Sequence, residues 1–151
     1  MNYYKNNKDD IKKIDDAELP ITLEKDSYYI KGKIDLILNQ DGNYTLIDFK
    51  SQQKINSEDL LQKYKLQMAT YSNLIQQKNG IDVDEAYIYW TGEENPQDAK
   101  MKLKIKDNDI KKANHHFDSV VEKITGRNYK VKENPPKKIC RECDFRYNCN
   151  E

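Results

Sequence analysis

Two aspartates and one lysine are the residues of this chain best suited to chemistry. Asp35 ends the stretch Gly-Lys-Ile-Asp, Asp48 and Lys50 flank Phe49, and both aspartates interrupt apolar runs typical of buried strands. A buried carboxylate is costly unless it is paired or binds a metal ion. Two carboxylates, a backbone carbonyl and water are the ligands that Mg²⁺ and Mn²⁺ prefer, and a nearby lysine can orient water or stabilise charge on a phosphate transition state. The pattern predicts a metal site for phosphate chemistry, with an ordinary salt-bridged hairpin as the alternative.

A predicted β-hairpin brings these residues together. The Asp-Gly turn at residues 40–43 is typical of hairpins, so the strands that carry Asp35 and Asp48 should be neighbours. Alternation of side chains along a strand should place Lys50 on the face of Asp48. The same alternation predicts that Ile34, Leu36 and Leu38 share one face of the strand before the turn.

The other predicted elements complete an α/β sheet with helices packed on it. The first strand is expected at an edge, because it contains Pro20. Ser57 is a predicted N-cap, and Asn79-Gly80 is a stop signal for the helix that follows it. We predict strands at 19–23, 27–38, 44–50, 85–91 and 101–105, a short or frayed helix within 3–16, and helices at 58–78 and 109–124.

The composition limits the classes to which the chain can belong. Of its 151 residues 36% are hydrophobic, and 26 basic side chains balance 26 acidic ones. This length supports one domain, which we expect over residues 1–151. No apolar run reaches the roughly 18 residues of a membrane span, and no apolar core of a signal peptide is present. We expect a cytoplasmic protein that does not bind membranes.

The charge is unevenly distributed along the chain. Residues 100–138 carry 12 basic and 5 acidic side chains, whereas residues 31–99 carry 7 and 11. A basic segment beside an acidic site suits a protein that binds nucleic acid near a cation site. A merely solvated basic surface is the alternative. The candidate DNA-binding residues are Lys102, Lys104, Lys111 and Lys112.

All three cysteines lie near the end of the chain. Cys140, Cys143 and Cys149 have the spacing C-x2-C-x5-C. This spacing is typical of metal ligands in a reducing compartment and not of a disulfide framework.

Three segments resemble motifs II, III and IV of the RecB-like group of PD-(D/E)XK nucleases, in their order and spacing. They are Gly32-Lys33-Ile34-Asp35, Ile47-Asp48-Phe49-Lys50-Ser51 and Gln67-Met68-Ala69-Thr70-Tyr71. The end of the chain, from Cys140 to Cys149, resembles the end of such domains in UvrD-type superfamily 1 helicases. The resemblance covers roughly residues 18–149, and it depends on the combination because each motif alone is weak.

The resemblance implies a fold and a set of active-site roles. The fold would be a PD-(D/E)XK, or restriction-endonuclease-like, core over about residues 18–126, with a mixed central sheet flanked by helices and a cysteine-bearing tail over 135–151. Asp35, Asp48 and the backbone carbonyl of Phe49 would bind Mg²⁺ or Mn²⁺, and Lys50 would be the catalytic lysine. The further active-site residues that it implies are Glu18, acting through water, and Gln67 and Tyr71, which lie on one helical face.

The resemblance also implies a role for the cysteines. In several RecB-like families three such cysteines join a fourth from upstream to hold a [4Fe–4S] cluster. This chain has no fourth cysteine, and its two histidines, His115 and His116, lie far downstream of the position where many of these nucleases have a histidine ligand. We expect both missing ligands in an upstream region of a longer helicase–nuclease chain. Zinc and free thiols are the alternatives to the cluster.

The function that the resemblance implies is divalent-metal-dependent DNA hydrolysis. We expect a deoxyribonuclease domain, more specifically an exonuclease, of an ATP-dependent helicase–nuclease in DNA repair or recombination. Its partners would be DNA and a helicase motor domain in the same or a partner chain. The alternative is a catalytically inactive nuclease-fold module that binds DNA or docks onto a helicase.

Overall fold

A five-stranded β-sheet organises the structure, a computed structural model that describes residues 2–128, 137–144 and 146. The strands, in their order across the sheet, are β1 (Ile14–Glu24), β2 (Tyr29–Gln40), β3 (Asn43–Lys50), β4 (Val83–Trp90) and β5 (Lys100–Leu103). The helices are α1 (Asn2–Asn6), a 3₁₀ helix (Lys8–Lys13), α2 (Glu58–Asn79), α3 (Pro96–Ala99), α4 (Asp107–Thr125) and α5 (Lys137–Glu142).

The sheet is mixed. Strands β1, β2 and β3 are successively antiparallel, β3 and β4 are parallel, and β4 and β5 are antiparallel. A parallel pair needs a long crossover connection, which α2 supplies between β3 and β4. The predicted mixed α/β sheet with helices is confirmed, as is the position of the first strand at an edge of the sheet.

Helix α2, which positions part of the candidate site, begins and ends where the sequence predicts. The side chain of Ser57 accepts a hydrogen bond from the backbone N–H of Leu60 and so caps the first turn. Gly80 ends the helix in the left-handed conformation, with φ 68°, and its N–H donates to the carbonyl of Gln76. A glycine adopts this conformation at little cost, which makes it a common helix terminator.

Other boundaries differ from the predictions. Only Asn2–Asn6 is α-helical in the first segment, and β1 already starts at Ile14 because Ile14 pairs with Leu38 of β2. The fifth strand ends at Leu103, so the prediction of a strand to residue 105 was wrong at its end. The short helices α3 and α5 were not predicted. They are four and six residues long, too short to show helical periodicity in a sequence.

The two faces of the sheet contribute to two apolar clusters. The cluster on the face of α2 contains Ile34, Leu46 and Trp90, and the cluster on the opposite face contains Leu36 and Tyr89, with Tyr3 of α1 packed against it. Neighbouring residues of β4, Ala86 to Trp90, alternate between the two clusters as a regular strand requires.

Strand β2 does not alternate regularly. Ile30 and Ile34 belong to the cluster beneath α2, but Leu36 and Leu38 belong to the opposite cluster. A regular strand would keep all four on one face, so the prediction that Ile34, Leu36 and Leu38 share a face was wrong. The alternation changes phase between Ile34 and Leu36, at the position of Asp35.

The chain divides into two compact units, Met1–Asp118 and Ser119–Glu151. The first contains the sheet, α2 and the N-terminal part of α4. That part of α4 is held by an ion pair of 3.0 Å between Lys65 and Asp109 and by a hydrogen bond of 2.6 Å from the Tyr28 hydroxyl to Asp118. The second unit contains the C-terminal part of α4, helix α5 and the positions of all three cysteines. The single domain over 1–151 stays a prediction.

None of the helices within the described ranges is long and apolar enough to cross a membrane.

Candidate active site

Two carboxylates lie close together where strands β2 and β3 pair. In the β2–β3 register Leu36 lies opposite Ile47, which brings Asp35 and Asp48 to neighbouring positions. The Asp35 Oδ2 atom accepts a hydrogen bond of 2.8 Å from the backbone N–H of Phe49. This bond ties the carboxylate of β2 to the strand segment that carries Asp48.

Lys50 is held against Asp48 by several groups. Its Nζ atom lies 2.6 Å from Asp48 Oδ2, and it donates a hydrogen bond of 3.2 Å to Gln67 Oε1. It also lies 4.7 Å from the centre of the Tyr64 ring, a distance at which a cation is attracted to the ring face. The backbone carbonyl of Lys50 accepts from the N–H of Thr91 at 2.8 Å, so both ends of the residue are fixed.

Gln67 links the helix to the strand residues. Its Nε2 donates to Asp48 Oδ1 at 3.0 Å and to the Tyr71 hydroxyl at 3.1 Å. Its Oε1 accepts from Lys50. The amide therefore has one orientation in which donor and acceptor are both satisfied, and it fixes the relative positions of the acid and the lysine.

The Asp48 carboxylate is buried, with only 4% of the residue exposed. Burial raises the pKa of Asp48, and the negative charge of Asp35 adds to this, while Lys50 acts in the opposite direction. Asp48 Oδ2 lies 2.6 Å from the Lys50 ammonium and has no other polar partner among the described residues. A buried oxygen with a spare lone pair and an unfavourable negative charge is suited to a cation.

The oxygen atoms of this site fit a hard divalent ion. Mg²⁺ is commonly held by one or two carboxylates and completes its shell with water and substrate oxygens, and Asp35 and Asp48 could supply the two carboxylates. Over residues 2–128, 137–144 and 146, no group of three or more His, Cys, Asp and Glu side chains could hold a metal ion. The donors beyond the two carboxylates would therefore be backbone carbonyls such as that of Phe49, water or substrate.

Glu18 of β1 lies opposite Asp35 of β2, but its side chain pairs with Lys33. Ala17 lies opposite Leu36 and Leu19 opposite Ile34, so Glu18 is at the register position of Asp35. Its φ of 55° is left-handed. The carboxylate lies 2.6 Å from Lys33 Nζ and is largely exposed, and this lysine lowers the pKa of Glu18. A role for Glu18 through water stays a prediction.

Gly32 of the first motif is in close contact with Tyr71 of the third. A Cβ atom at position 32 would lie 2.9 Å from the Tyr71 ring, closer than the roughly 3.5–4.0 Å of favourable carbon contacts. The glycine thus leaves the space in which the Tyr71 ring lies, beside the amide of Gln67.

The four lysines predicted to bind DNA lie in different places. Lys102 pairs with Glu85, which raises the pKa of Lys102. It alternates with Met101 and Leu103, which pack in the cluster beneath α2, so Lys102 is on the opposite face of the sheet. Lys104 is exposed and follows the end of β5, and Lys111 and Lys112 are exposed on α4. Their role stays a prediction.

Two of the three cysteines are described. Cys140 is exposed and Cys143 is half-buried, and both are free thiols. Cys149 lies outside the described residues. The predicted iron–sulfur or zinc site is therefore not tested.

The contact between the Tyr64 ring and the Lys50 ammonium was not predicted from the sequence. Tyr64 lies three residues before Gln67 and so on the same face of α2, a spacing that could have indicated it. Its hydroxyl accepts a hydrogen bond of 3.0 Å from Gln52 Nε2, in the loop after β3. The neighbouring backbone of Gln52 packs so closely on Gly92 that a Cβ there would lie 2.7 Å from it.

Known proteins are similar to this chain in sequence and in fold. The family profile of the PD-(D/E)XK nuclease superfamily matches residues 4–150. The A subunit of the ATP-dependent helicase/nuclease of Thermoanaerobacter sp. is 31% identical over 74 residues, which are 48% of this chain and 6% of that protein. The protein of the same name from Clostridium botulinum is 30% identical over 74 residues, 49% of this chain and 6% of its own length.

A solved structure has a similar fold. A candidate exonuclease from Eubacterium rectale superposes with a TM-score of 0.52 at 15% identity, covering 95% of this chain and 67% of that one. At this identity the likeness shows the fold alone. The curated relatives are far longer, since the chain spans about 6% of their length.

Proposed function

The chain belongs to the PD-(D/E)XK nuclease superfamily, and we propose that it hydrolyses DNA phosphodiester bonds with Mg²⁺ or Mn²⁺ as the nuclease domain of a helicase–nuclease. The observation that carries the proposal is the buried Asp48 carboxylate, which lies 2.6 Å from the Lys50 ammonium and close enough to the Asp35 carboxylate for that charge to raise the pKa of Asp48. Such an arrangement costs stability, which a purely structural hairpin would not need.

Each side chain of the site has a role in the proposed reaction. Asp35 and Asp48 would hold the metal ion, which when bound would supply an activated water and neutralise phosphate charge. Lys50 would stabilise the charge that develops on the phosphate, because Gln67 and Tyr64 hold its ammonium at a fixed place. Gln67 would hold the side chains of Asp48 and Lys50 at fixed relative positions during the reaction.

Hydrolysis of a labelled single strand in Mn²⁺ tests this proposal. Asp48→Ala should abolish hydrolysis, because it removes a metal ligand. Lys50→Ala should lower kcat more than it weakens DNA binding, because its charge matters most in the transition state. Asp82→Ala, at an exposed position outside the site, is the matched control and should leave the rate unchanged. Equal activity of all four proteins would contradict the assignment.

An inactive DNA-binding or docking module is the second candidate. It is favoured by the presence of only two carboxylates in the site and by the absence of a third acidic, histidine or cysteine ligand among the described residues. Divalent metal binding at Asp35 and Asp48, with DNA binding but without hydrolysis in any metal, would support this candidate over the nuclease.

Contacts with DNA are proposed for the basic segment that follows β4. Each phosphate contact contributes a log–log salt slope of roughly −0.9 on duplex DNA or −0.7 on a single strand. Replacing Lys111 and Lys112 together should flatten the slope by about one to two units. Replacing Lys102 and Lys104 should flatten it less, because Lys102 pairs with Glu85. The reverse order of the two double variants would contradict this reasoning.

A helicase motor domain, in the same or a partner chain, is the proposed protein partner, on the strength of the helicase/nuclease proteins that the chain resembles. We further propose that Cys140, Cys143 and Cys149 bind a [4Fe–4S] cluster, with zinc as the competing metal. Iron, sulfide and zinc analysis of the longer protein distinguishes these two metals from free thiols.

A further inference from the structure

A cavity of about 260 Å³ adjoins the candidate active site. Gln67 and Tyr71, which contact Asp48 directly or through each other, form one wall of it. Gly32 of β2 lies in the same lining, and Phe117 of α4 completes it. The catalytic cluster and the cavity therefore share two side chains. The remaining lining residues are Ile30, Lys31, Lys63, Leu66, Thr70 and Leu74.

The lining combines apolar side chains with two aromatic rings, Tyr71 and Phe117, and two lysines. The Thr70 hydroxyl donates to the carbonyl of Leu66 within α2 at 2.8 Å, so it is already satisfied inside the helix. Phe117 is half-buried, and it is held in place because its neighbour Asp118 accepts a hydrogen bond from Tyr28. An apolar slot with a partly exposed ring is suited to a flat, weakly polar group.

The charges of the lining indicate which kind of ligand the cavity can bind. Lys31 and Lys63 are exposed residues of the lining, no acidic residue belongs to it, and neither lysine has an ion-pair partner in the described part of the chain. The ligand should therefore combine a flat ring with negative charge. A single unpaired nucleotide does so, and its phosphates could contact the two lysines while its base enters the slot.

The volume of the cavity limits the ligand to a single nucleobase. Small-molecule pockets commonly measure roughly 300–1,000 Å³, so a cavity of about 260 Å³ has space for one ring system and none for a base pair. We propose that this cavity binds one unpaired nucleobase of a DNA single strand, stacked against Phe117, beside the phosphate that is to be hydrolysed. The proposal rests on the proposed function in taking DNA as the ligand and in the position of the base beside the hydrolysed phosphate, whereas binding of the base itself does not require hydrolysis.

Binding to short labelled single strands tests the proposal with the full 151-residue chain. Fluorescence anisotropy in EDTA, where no hydrolysis occurs, compares an intact strand with strands that lack one base at the 3′ end, at the 5′ end or inside. Stacking on an aromatic residue changes affinity by about 5- to 150-fold per base, so one of the abasic strands should bind about fivefold more weakly or worse. A 2-aminopurine at the same position should change its fluorescence on binding.

Two variants locate the effect. Phe117→Leu keeps an apolar side chain but removes the ring, so it should bind the intact and abasic strands with nearly equal affinity. Tyr4→Leu, at an exposed tyrosine away from the cavity, is the matched control and should keep the difference. If Phe117→Leu does not fold, the abasic series and the 2-aminopurine signal of the unmodified chain still decide the question.

The outcomes separate this proposal from the nuclease activity. If every abasic strand binds as tightly as the intact one, or if Phe117→Leu keeps the full difference, the base-binding cavity is refuted even when the chain hydrolyses DNA in Mn²⁺. If binding depends on one base and on Phe117 but no hydrolysis occurs, the cavity is supported and the proposed catalytic function fails. Absence of any DNA binding refutes both.

Discussion

A methyl group at position 32 should disturb the active site through Tyr71. The Cβ of an alanine would lie 2.9 Å from the Tyr71 ring, so the ring must move by roughly 0.5–1 Å to restore ordinary carbon contacts. Tyr71 accepts a hydrogen bond from Gln67, and Gln67 contacts both Asp48 and Lys50. A displacement of the ring is therefore passed on to Asp48 and Lys50.

The expected effect on stability is small, and the expected effect on activity is larger. Overpacking costs about 1–3 kcal/mol, while replacing glycine by alanine in a permitted conformation stabilises by about 0.4–1 kcal/mol through the unfolded chain. The net cost of Gly32→Ala should be about 0–2.6 kcal/mol, which lowers the thermal midpoint by no more than about 10 °C. Since a shift near 1 Å in an active site can cost about 100-fold, hydrolysis should fall by about 10- to 100-fold.

A double-mutant cycle tests the cause by thermal unfolding and by hydrolysis in Mn²⁺. In a Tyr71→Leu background, where the ring is absent, Gly32→Ala should be neutral or slightly stabilising and should cause no further loss of activity. In a Tyr71→Phe background the ring remains, so Gly32→Ala should stay costly. If Gly32→Ala costs the same in the Tyr71→Leu background as in the unmodified protein, the reasoning is refuted, because the methyl group would then act elsewhere.

Tyr64→Leu removes the ring 4.7 Å from the Lys50 ammonium, a contact worth about 0.5–2 kcal/mol. It should lower kcat about 2- to 30-fold with little change in KM, and an unchanged kcat would contradict the role of the ring. Burial and the Asp118 carboxylate raise the pKa of Tyr28 from 10.0 to about 12. Because the folded state holds this proton more tightly, the stabilisation is fully present below pH 10 and is lost as the pH rises towards 12. The stability difference between the unmodified chain and Tyr28→Phe should shrink over that range, and a difference independent of pH would exclude this linkage. Mn²⁺ at 100 times its dissociation constant should stabilise the chain by about 2.7 kcal/mol in differential scanning calorimetry but leave Asp48→Ala unaffected, and an equal shift in both proteins would place the metal elsewhere.

The sequence by itself determined most of the elements and the residues of the site. Ser57 and Gly80 carry the local chemistry of a helix start and stop, and the Asp-Gly turn before β3 specifies a hairpin. These signals are local, so they can be identified from neighbouring residues alone. The spacing of the aspartates, Lys50 and Gln67 was equally visible, although their catalytic roles remain predictions.

Only the tertiary structure decided how these residues meet. A regular strand would keep Ile34 and Leu36 on one face, whereas the actual alternation changes phase between them. The carboxylate of Asp35, which lies at this point, accepts a hydrogen bond from the backbone of Phe49, next to Asp48. The contact that requires Gly32 to be a glycine comes from Tyr71, 39 positions later in the chain, and the ring beneath Lys50 comes from Tyr64. Such features depend on pairing between strands and on packing of α2 across the sheet, where the energies of distant contacts override local preference. A single sequence does not show which distant residues will be in contact.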